Sequence, residues 1–252
     1  MKALRNVVAA IGLLALVHLV FGPAGHAEEK PVHIFILSGQ SNMAAMNPKS
    51  GFEDEAAKLF PDAEVRYFKL AAGGLPIRMW VAEWDEIAEK NELAARNAQP
   101  RYYPPILDRY RKLVGPDVTP ASVTFCWMQG ERDAKEGLSA AYTAAMAQLI
   151  GNLRRDLEQP QLNFVIGRIS DSGSETHTHW QAVRKAQVDF ATNEPRGAWV
   201  DCDDLNDKER NGKTWNDLHY TEQGYELLGR RFVRQAKAII DGQSPADNGR
   251  PE

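Results

Sequence analysis

The sequence is poor in cysteine, with only Cys126 and Cys202 among its 252 residues. Both lie in strand-like runs. If these runs are the third and fifth strands of a sheet ordered 2-1-3-4-5, a whole strand separates them. Two strand spacings amount to about 9.5 Å, which exceeds the Cα separation that a disulfide bond tolerates. We therefore expect two free cysteines in the core, even in an oxidising compartment.

The sequence also lacks any surplus of positive charge. It has 30 Lys and Arg against 34 Asp and Glu, a net charge of -4, and the basic residues are scattered along the chain. Binding to nucleic acid or to an anionic membrane requires a concentrated basic surface, so we expect neither as a partner. Apolar residues make up 43% of the chain, which is enough for the core of one large α/β domain.

The longest apolar run lies at the amino terminus. A basic start with Lys2 and Arg5 precedes an apolar stretch over residues 7–21, and small residues ending at Ala27 follow. This order predicts a secretory signal peptide over residues 1–27. An uncleaved anchor is the alternative, but the run is shorter than the roughly 20 residues of a spanning helix. We expect a periplasmic or secreted protein with no stable membrane association after cleavage.

Strand-like and helix-like runs alternate in the rest of the chain. This alternation predicts a parallel β-sheet with helices on both sides, in one domain over residues 28–241. The tail over residues 242–252 is polar and rich in Gly and Pro, and is expected to be flexible. The predicted strands are His33–Leu37, Val65–Leu70, Ser122–Trp127, Asn163–Ile169 and Ala198–Cys202, and the predicted helices are Trp84–Ala95, Pro105–Leu113, Ser139–Leu157, Thr176–Thr192 and Thr221–Ile240.

Residues suited to acyl transfer follow four of the five predicted strands. In open parallel sheets the ligand lies beyond the carboxyl ends of the strands. Ser41 follows the first strand, Gly73 and Gly74 the second, and Gln129 the third, while His219 lies beyond the fifth, before the last helix. A serine needs a base to take its proton, and backbone or amide N–H groups can hold the resulting oxyanion.

Each of the two central residues also has a purely structural interpretation. Ser41 could cap a helix, as serine often does, and His219 could bond only to backbone at a helix entry. His219 is, however, the histidine flanked by a carboxylate, in "NDLHYT". Ser41 follows the first strand and His219 lies beyond the fifth, so both are expected at the carboxyl edge of the sheet. A serine and a histidine at the same edge favour the catalytic interpretation.

Four sequence blocks resemble, in order, those of the sialate O-acetylesterase and acetylxylan esterase group (carbohydrate esterase family six). These are "GQSNMAA", "GGLPIRMW", "WMQGERDA" and "DLHYTEQGYELLGRRF", and the resemblance extends from Ile34 to Phe232. That group belongs to the SGNH/GDSL hydrolase superfamily. The resemblance implies a three-layer α/β/α flavodoxin-like sandwich with a mostly parallel five-stranded sheet in the order 2-1-3-4-5.

The resemblance also implies roles for individual residues. Ser41 would be the nucleophile and His219 the base. The oxyanion would be held by the N–H of Ser41, by an N–H of Gly73 or Gly74, and by the side-chain amide of Gln129. The substrate would be an acetylated carbohydrate, and no cofactor would be needed.

The third triad member is where this sequence departs from the family pattern. The family usually has aspartate three residues before the histidine, but that position here is Asn216. Asp217, two residues before His219, is the predicted replacement. Glu131, Asp133 and Asn216 itself are the alternatives.

Other polar and aromatic residues near the strand ends are candidates for substrate contact, namely Asn42, Glu131, Trp80 and Trp180. His177 and His179 could be two metal ligands, but zinc needs a third protein ligand, and no residue nearby has the spacing of a recognised site, so no metal is predicted.

Two other functions remain open at this point. One is a lipase-like or thioesterase-like SGNH hydrolase, and the other is a non-catalytic glycan-binding module on the same fold.

Overall fold

A computed structural model describes residues 30–172 and 177–251 of the chain. The predicted signal peptide over residues 1–27 lies outside the described residues. Within them, no helix combines the length and the hydropathy that crossing a membrane requires.

A five-stranded sheet in the order β2-β1-β3-β4-β5 forms the centre of the domain. Each pairing of neighbouring strands is parallel, which confirms the predicted fold class. All eight residues of the central strand β1 are buried, because strands and helices cover it on every side. The strands are β1 Val32–Gly39, β2 Glu64–Ala71, β3 Ser122–Met128, β4 Asn163–Gly167 and β5 Gly197–Val200.

Helices cover both faces of this sheet, and α2 contacts α8 while α6 contacts α7. The five predicted helices all form, although α3 ends earlier than expected, because Glu92 takes a left-handed φ of 59°. Three short helices, α1, α2 and α5, were not predicted, since so few residues show no clear periodicity. The helices are α1 Ser41–Ala45, α2 Phe52–Leu59, α3 Trp84–Lys90, α4 Tyr103–Val114, α5 Glu131–Lys135, α6 Ser139–Asp156, α7 Thr178–Asn193 and α8 Glu222–Ile240.

An antiparallel hairpin, which the sequence analysis missed, follows β5 along the chain and precedes α8. Its strands are β6 Asp207–Arg210 and β7 Lys213–Asn216. Asn211 and Gly212 connect them with φ values of 53° and 69°, as a tight two-residue turn requires. Asn-Gly is a strong hairpin signal, so the sequence did contain the information.

The carboxy-terminal tail is held against the domain, contrary to the expectation of a flexible segment. The buried Gln235 of α8 accepts from the N–H of Ala246 at 2.9 Å and donates to its carbonyl at 3.0 Å. Arg250 donates to Asp201 at 2.8 Å. These hydrogen bonds hold the tail in place, although its polar composition alone predicted a flexible segment. Cys126 and Cys202 are both buried and free, as predicted.

Candidate active site

A cavity of about 300 Å³ lies at the carboxyl edge of the sheet, and four of the predicted catalytic residues, Ser41, Gly73, Gly74 and His219, line it. Residues from the ends of β1, β2 and β3 and from the loop before α8 form its wall. They are Gln40, Ser41, Gly73, Gly74, Glu131, Arg132, Lys135, Leu218 and His219.

Ser41 is presented to this cavity by a turn that only glycine can make. Gly39, the last residue of β1, has a φ of 144°, and a Cβ added there would lie 2.0 Å from the carbonyl oxygen of Met128. Gln40 then donates its N–H to that same carbonyl at 2.8 Å. The chain therefore leaves the sheet against β3, and the half-buried Ser41 begins α1 at the sheet edge.

Gly73 and Gly74 lie next to Ser41 in the loop that follows β2. A Cβ placed on Gly73 would be 3.9 Å from the Cβ of Ser41, and Gly74 has a left-handed φ of 69°. The buried Asp133 of α5 fixes this loop, because its Oδ2 accepts from the N–H of Ile77 at 2.9 Å. Main-chain N–H groups close to a serine are suitable oxyanion donors.

Gln129 supports the same loop from within the protein and does not line the cavity. The residue is fully buried. Its amide nitrogen donates to the carbonyl of Leu75 at 3.0 Å and to Oδ2 of Asp133 at 2.5 Å. The amide hydrogens are thus committed to internal acceptors, which corrects the expectation that Gln129 points at the oxyanion.

His219 is exposed at the cavity, on the loop between β7 and α8. The carboxylate of Asp217 accepts from the main-chain N–H of His219 at 3.4 Å, and its other oxygen accepts from the Lys208 ammonium at 2.7 Å. The bond from Lys208 lowers the pKa of Asp217. Among the described residues, Asp217 therefore contacts the backbone of His219 and a cation, rather than the imidazole.

Two of the three alternatives for the third triad member are bonded elsewhere. The amide of Asn216 donates to Asp171 at 2.7 Å. Asp133 accepts from Gln129 and from the loop after β2, and burial raises its pKa to about 6. Glu131 is the one alternative that lines the cavity.

Asn42 and Glu131 form a buried pair at the cavity, with Glu131 in its wall and Asn42 behind it. The Asn42 amide nitrogen donates to Oε1 of Glu131 at 2.9 Å and to the carbonyl of Leu218 at 3.1 Å. Its oxygen accepts from the Tyr225 hydroxyl at 3.0 Å. Asn42 is fully buried, so the structure gives it a role in holding segments together, whereas the sequence suggested substrate contact.

Trp80 and Trp180 belong to the core, and the expectation that they contact the substrate is not met. Trp80 is fully buried and donates to the Ser38 hydroxyl at 3.1 Å. Trp180 is 3% exposed and donates to the carbonyl of Ser170 at 2.7 Å. With their ring faces covered, neither can stack on a sugar.

Besides Leu218, three polar cavity residues were not found from the sequence. The side-chain oxygen of Gln40 accepts from the N–H of Arg132 at 3.2 Å, which ties the serine turn to α5. Arg132 and Lys135, three residues apart on α5, both reach the cavity wall. Their helical spacing in "QGERDAK" was the available signal.

His177 and His179 lie near the start of α7, outside the cavity. His177 accepts from the N–H of Trp180 at 3.3 Å, and Nδ1 of His179 is 2.8 Å from the Ser139 hydroxyl. No third His, Cys, Asp or Glu joins them as a metal ligand in the part of the chain that the structure describes.

Comparison with known proteins gives a family match over most of the chain. The model of the family described as "Carbohydrate esterase, sialic acid-specific acetylesterase" matches residues 44–238. No curated protein sequence is significantly similar to the chain.

Solved structures with the same fold include carbohydrate esterases. A protein from Arabidopsis thaliana has a TM-score of 0.59 at 21% identity, covering 84% of this chain and 98% of its own. A carbohydrate acetylesterase from Xanthomonas citri has 0.58 at 17%, covering 84% and 57%. NanS has 0.56 at 14%, covering 84% and 98%. At these identities the similarity shows a shared fold.

Proposed function

The chain belongs to the carbohydrate esterase, sialic acid-specific acetylesterase family, and we propose that it is an exported serine esterase that removes O-acetyl groups from a carbohydrate. The observation that carries this proposal is the convergence of Ser41, His219 and the Gly73-Gly74 loop on one cavity. These residues come from three distant parts of the sequence, and together they supply a nucleophile, a base and main-chain donors.

Acylation begins when the hydroxyl of Ser41 attacks the acetyl carbonyl carbon. His219 accepts the hydroxyl proton, and the carbonyl oxygen takes up the negative charge of the tetrahedral intermediate. The N–H of Ser41 and that of Gly73 or Gly74 are the proposed oxyanion donors. One such donor typically contributes about 10²–10³ in rate.

Deacylation repeats these steps with water as the nucleophile. When the first tetrahedral intermediate collapses, the bond between the acetyl carbon and the sugar oxygen breaks, and His219 protonates the departing sugar oxygen. The acetyl group stays on Ser41 as an ester. His219 then takes a proton from water, which attacks the ester carbonyl, and acetate leaves as Ser41 regains its proton. No step requires a cofactor.

The proposed role of Asp217 is to orient His219 through the main chain. Asp217 is held by two bonds with the buried Asn206. The side-chain amide of Asn206 donates to the main-chain carbonyl of Asp217 at 2.8 Å, and the main-chain carbonyl of Asn206 accepts from the N–H of Asp217 at 3.1 Å. Its carboxylate in turn accepts from the N–H of His219. The Lys208 ammonium, 2.7 Å from this carboxylate, offsets part of the negative charge that would otherwise stabilise an imidazolium.

Export and domain limits complete the proposal. The sequence pattern of residues 1–27 supports cleavage of a signal peptide, release to the periplasm or the medium, and an esterase domain over residues 28–241. Amino-terminal sequencing of protein recovered from the periplasm and from the medium tests this, since an intact Met1 on exported protein would contradict cleavage.

A fluorophosphonate probe and an acetate-release assay on a panel of acetylated glycans test the activity. We expect labelling at Ser41 and acetate from at least one glycan. The structure offers a matched control, because Ser122 also contacts a histidine: its hydroxyl lies 2.8 Å from Nδ1 of His33, outside the cavity. Ser122→Ala should label normally, and Ser41→Ala should not label.

A non-catalytic glycan-binding module is the second candidate. It is favoured by the position of Asp217, whose carboxylate contacts Lys208 and leaves the imidazole without this anionic partner. Glycan binding by isothermal titration, without labelling and without acetate release, would establish this alternative.

A further inference from the structure

The amide of Asn42 connects three segments around the cavity. Its nitrogen uses both hydrogens, one to Glu131 at 2.9 Å and one to the carbonyl of Leu218 at 3.1 Å. Its oxygen accepts from Tyr225 of α8 at 3.0 Å. A buried amide with all these groups bonded has a single orientation, so Asn42 joins α1, α5 and the loop before α8 rigidly.

This connection runs between the proposed nucleophile and the proposed base. Asn42 follows Ser41 directly in the chain, and Leu218 directly precedes His219. The bond from Asn42 to the Leu218 carbonyl is therefore a short link between the two catalytic segments. A shift of about 1 Å between reacting groups costs on the order of 10²-fold in rate, so the length of this link matters.

Glu131 holds the other hydrogen of that amide, at some cost to stability. It is 2% exposed. Within the described residues its Oε2 has no hydrogen-bond partner, although a buried carboxyl without partners is unfavourable. Packing alone would be served better by an apolar side chain, which indicates that the carboxyl has a function.

We infer that Glu131 is a positioning residue, which orients Asn42 and thereby sets the separation between Ser41 and His219. The inference rests on the proposed esterase function. Glu131 and His219 line the same cavity, but Glu131 acts through Asn42, since its bonded oxygen points to that amide. In this assignment Glu131 takes no part in proton transfer.

The ionisation of Glu131 gives this role a signature in the pH profile. Burial raises the pKa of Glu131 to about 7. The ionised carboxylate is the stronger acceptor for the Asn42 amide, so the link is tight above this pKa and loosens below it. The charged and titratable groups around Glu131 are Arg132, Asp133 and Lys135 on α5, Tyr142 on α6, and His219, Tyr220 and Tyr225 around the start of α8.

The expected consequence is a steep acid limb. As the pH falls, protonation of Glu131 weakens its bond to the Asn42 amide and lowers the activity. Glu131→Gln retains an amide oxygen for Asn42 but cannot titrate, so its profile should lack this additional loss. The ratio of wild-type to Glu131→Gln kcat/KM should therefore fall from about tenfold above the pKa of Glu131 to about one well below it.

The test compares full pH profiles of the wild type, Glu131→Gln, Glu131→Ala, Asn42→Ala and the Glu131→Ala/Asn42→Ala double variant. At pH 8 we expect Glu131→Gln to lower kcat by about tenfold through loss of a charge-assisted bond, with KM unchanged. Asn42→Ala should lower kcat by about 10²-fold. Because both residues act through one bond, Glu131→Ala should add no further loss in the Asn42→Ala background.

Two further variants separate positioning from general stability. Glu55 is an equally buried carboxylate on α2, 2% exposed and bonded to Arg234 at 2.8 Å. Glu55→Gln should lower Tm while leaving the pH profile of kcat/KM unchanged. If Asn42→Ala does not fold, Tyr225→Phe replaces it in the cycle, because it removes the bond to the Asn42 oxygen and keeps the aromatic ring.

Three results would overturn the inference. A ratio of wild-type to Glu131→Gln kcat/KM that does not change with pH would show that Glu131 does not titrate with activity. Additive losses in the double variant would show that Glu131 and Asn42 act separately. A loss of 10³-fold or more in Glu131→Gln at all pH values would make Glu131 the acid that contacts His219. Failure of the proposed function is distinguishable, since the wild type would then show neither Ser41 labelling nor acetate release.

Discussion

The carboxylate of Asp217 lies 2.7 Å from the ammonium of Lys208, and this pair changes what Asp217 can do for the neighbouring His219. Its second oxygen accepts from the main-chain N–H of His219. An asparagine at position 217 retains an oxygen for that N–H. We therefore expect Asp217→Asn to lower kcat by less than about tenfold and Asp217→Ala to lower it further, through loss of one hydrogen bond.

Steady-state kinetics of both variants, with Lys208→Ala beside them, check this. If Asp217→Asn instead loses about 10⁴-fold in kcat, the carboxylate must contact the imidazole during turnover. In that case Lys208→Ala, which frees the carboxylate, should raise activity.

Replacement of the proposed nucleophile should separate activity from folding. Ser41 is half-buried at the first position of α1 and contributes little to the core. We expect Ser41→Ala to lower acetate release by about 10³-fold or more and to change Tm by no more than a surface substitution does. Acetate release and thermal unfolding on the same preparation check this, and near-native turnover would refute the assignment.

The internal bonds of Gln129 predict a structural phenotype. Gln129→Ala removes the bond to the Leu75 carbonyl and one of the two buried bonds to Asp133, so the free energy of unfolding should fall by about 1–3 kcal/mol. We expect kcat to fall by less than about tenfold. If Gln129 were an oxyanion donor, kcat would fall by about 10²–10³ while Tm stayed constant.

A second buried glutamine provides the matched control for that experiment. Gln235 is also fully buried, and it bonds to the tail and to the carbonyl of Trp199 at 2.7 Å. Gln235→Ala should lower Tm comparably and leave kcat unchanged.

Asp133 should make the protein less stable as the pH rises. Burial raises its folded-state pKa from 3.8 to about 6, so the folded state holds the proton more tightly than the unfolded chain does. The associated stability is fully present below pH 3.8 and is lost as the pH rises through about 6. We expect Asp133→Asn to flatten this part of the curve of Tm against pH.

Glu55 supplies the opposite sign in the same measurement. Its bond from Arg234 lowers its pKa below 4.5, so its contribution is present above that pH and is lost on acidification. Glu55→Gln should therefore flatten the acid side of the curve. An unchanged curve for Asp133→Asn would show that this carboxyl does not titrate on unfolding.

Chelation should leave the activity intact, because the proposed steps use protein groups alone. We expect EDTA treatment followed by dialysis to retain full acetate release. Strong inhibition that zinc reverses would indicate a metal site, with His177 and His179 as the first residues to replace.

A parallel sheet flanked by helices and the identity of the strand-end residues could be predicted from the sequence, whereas the strand order followed only from the resemblance to the esterase family. Apolar β-branched runs such as that of β1 require burial between neighbours, and alternation with helices leaves a parallel sheet as the outcome. Because parallel strands end at one edge, Ser41, Gly73 and His219 could be placed together before any contact was known. The Asn-Gly turn of the hairpin was equally readable, although it was overlooked.

The contacts of individual side chains were decided only by the tertiary structure. The sequence places Gln129, Trp80 and Trp180 near strand ends, but the neighbouring helices bury all three. Asp217 is adjacent to His219 in sequence, yet Lys208 from the other strand of the hairpin binds its carboxylate. A local pattern fixes which way the backbone runs, whereas a polar side chain bonds to whatever long-range packing brings within about 3 Å.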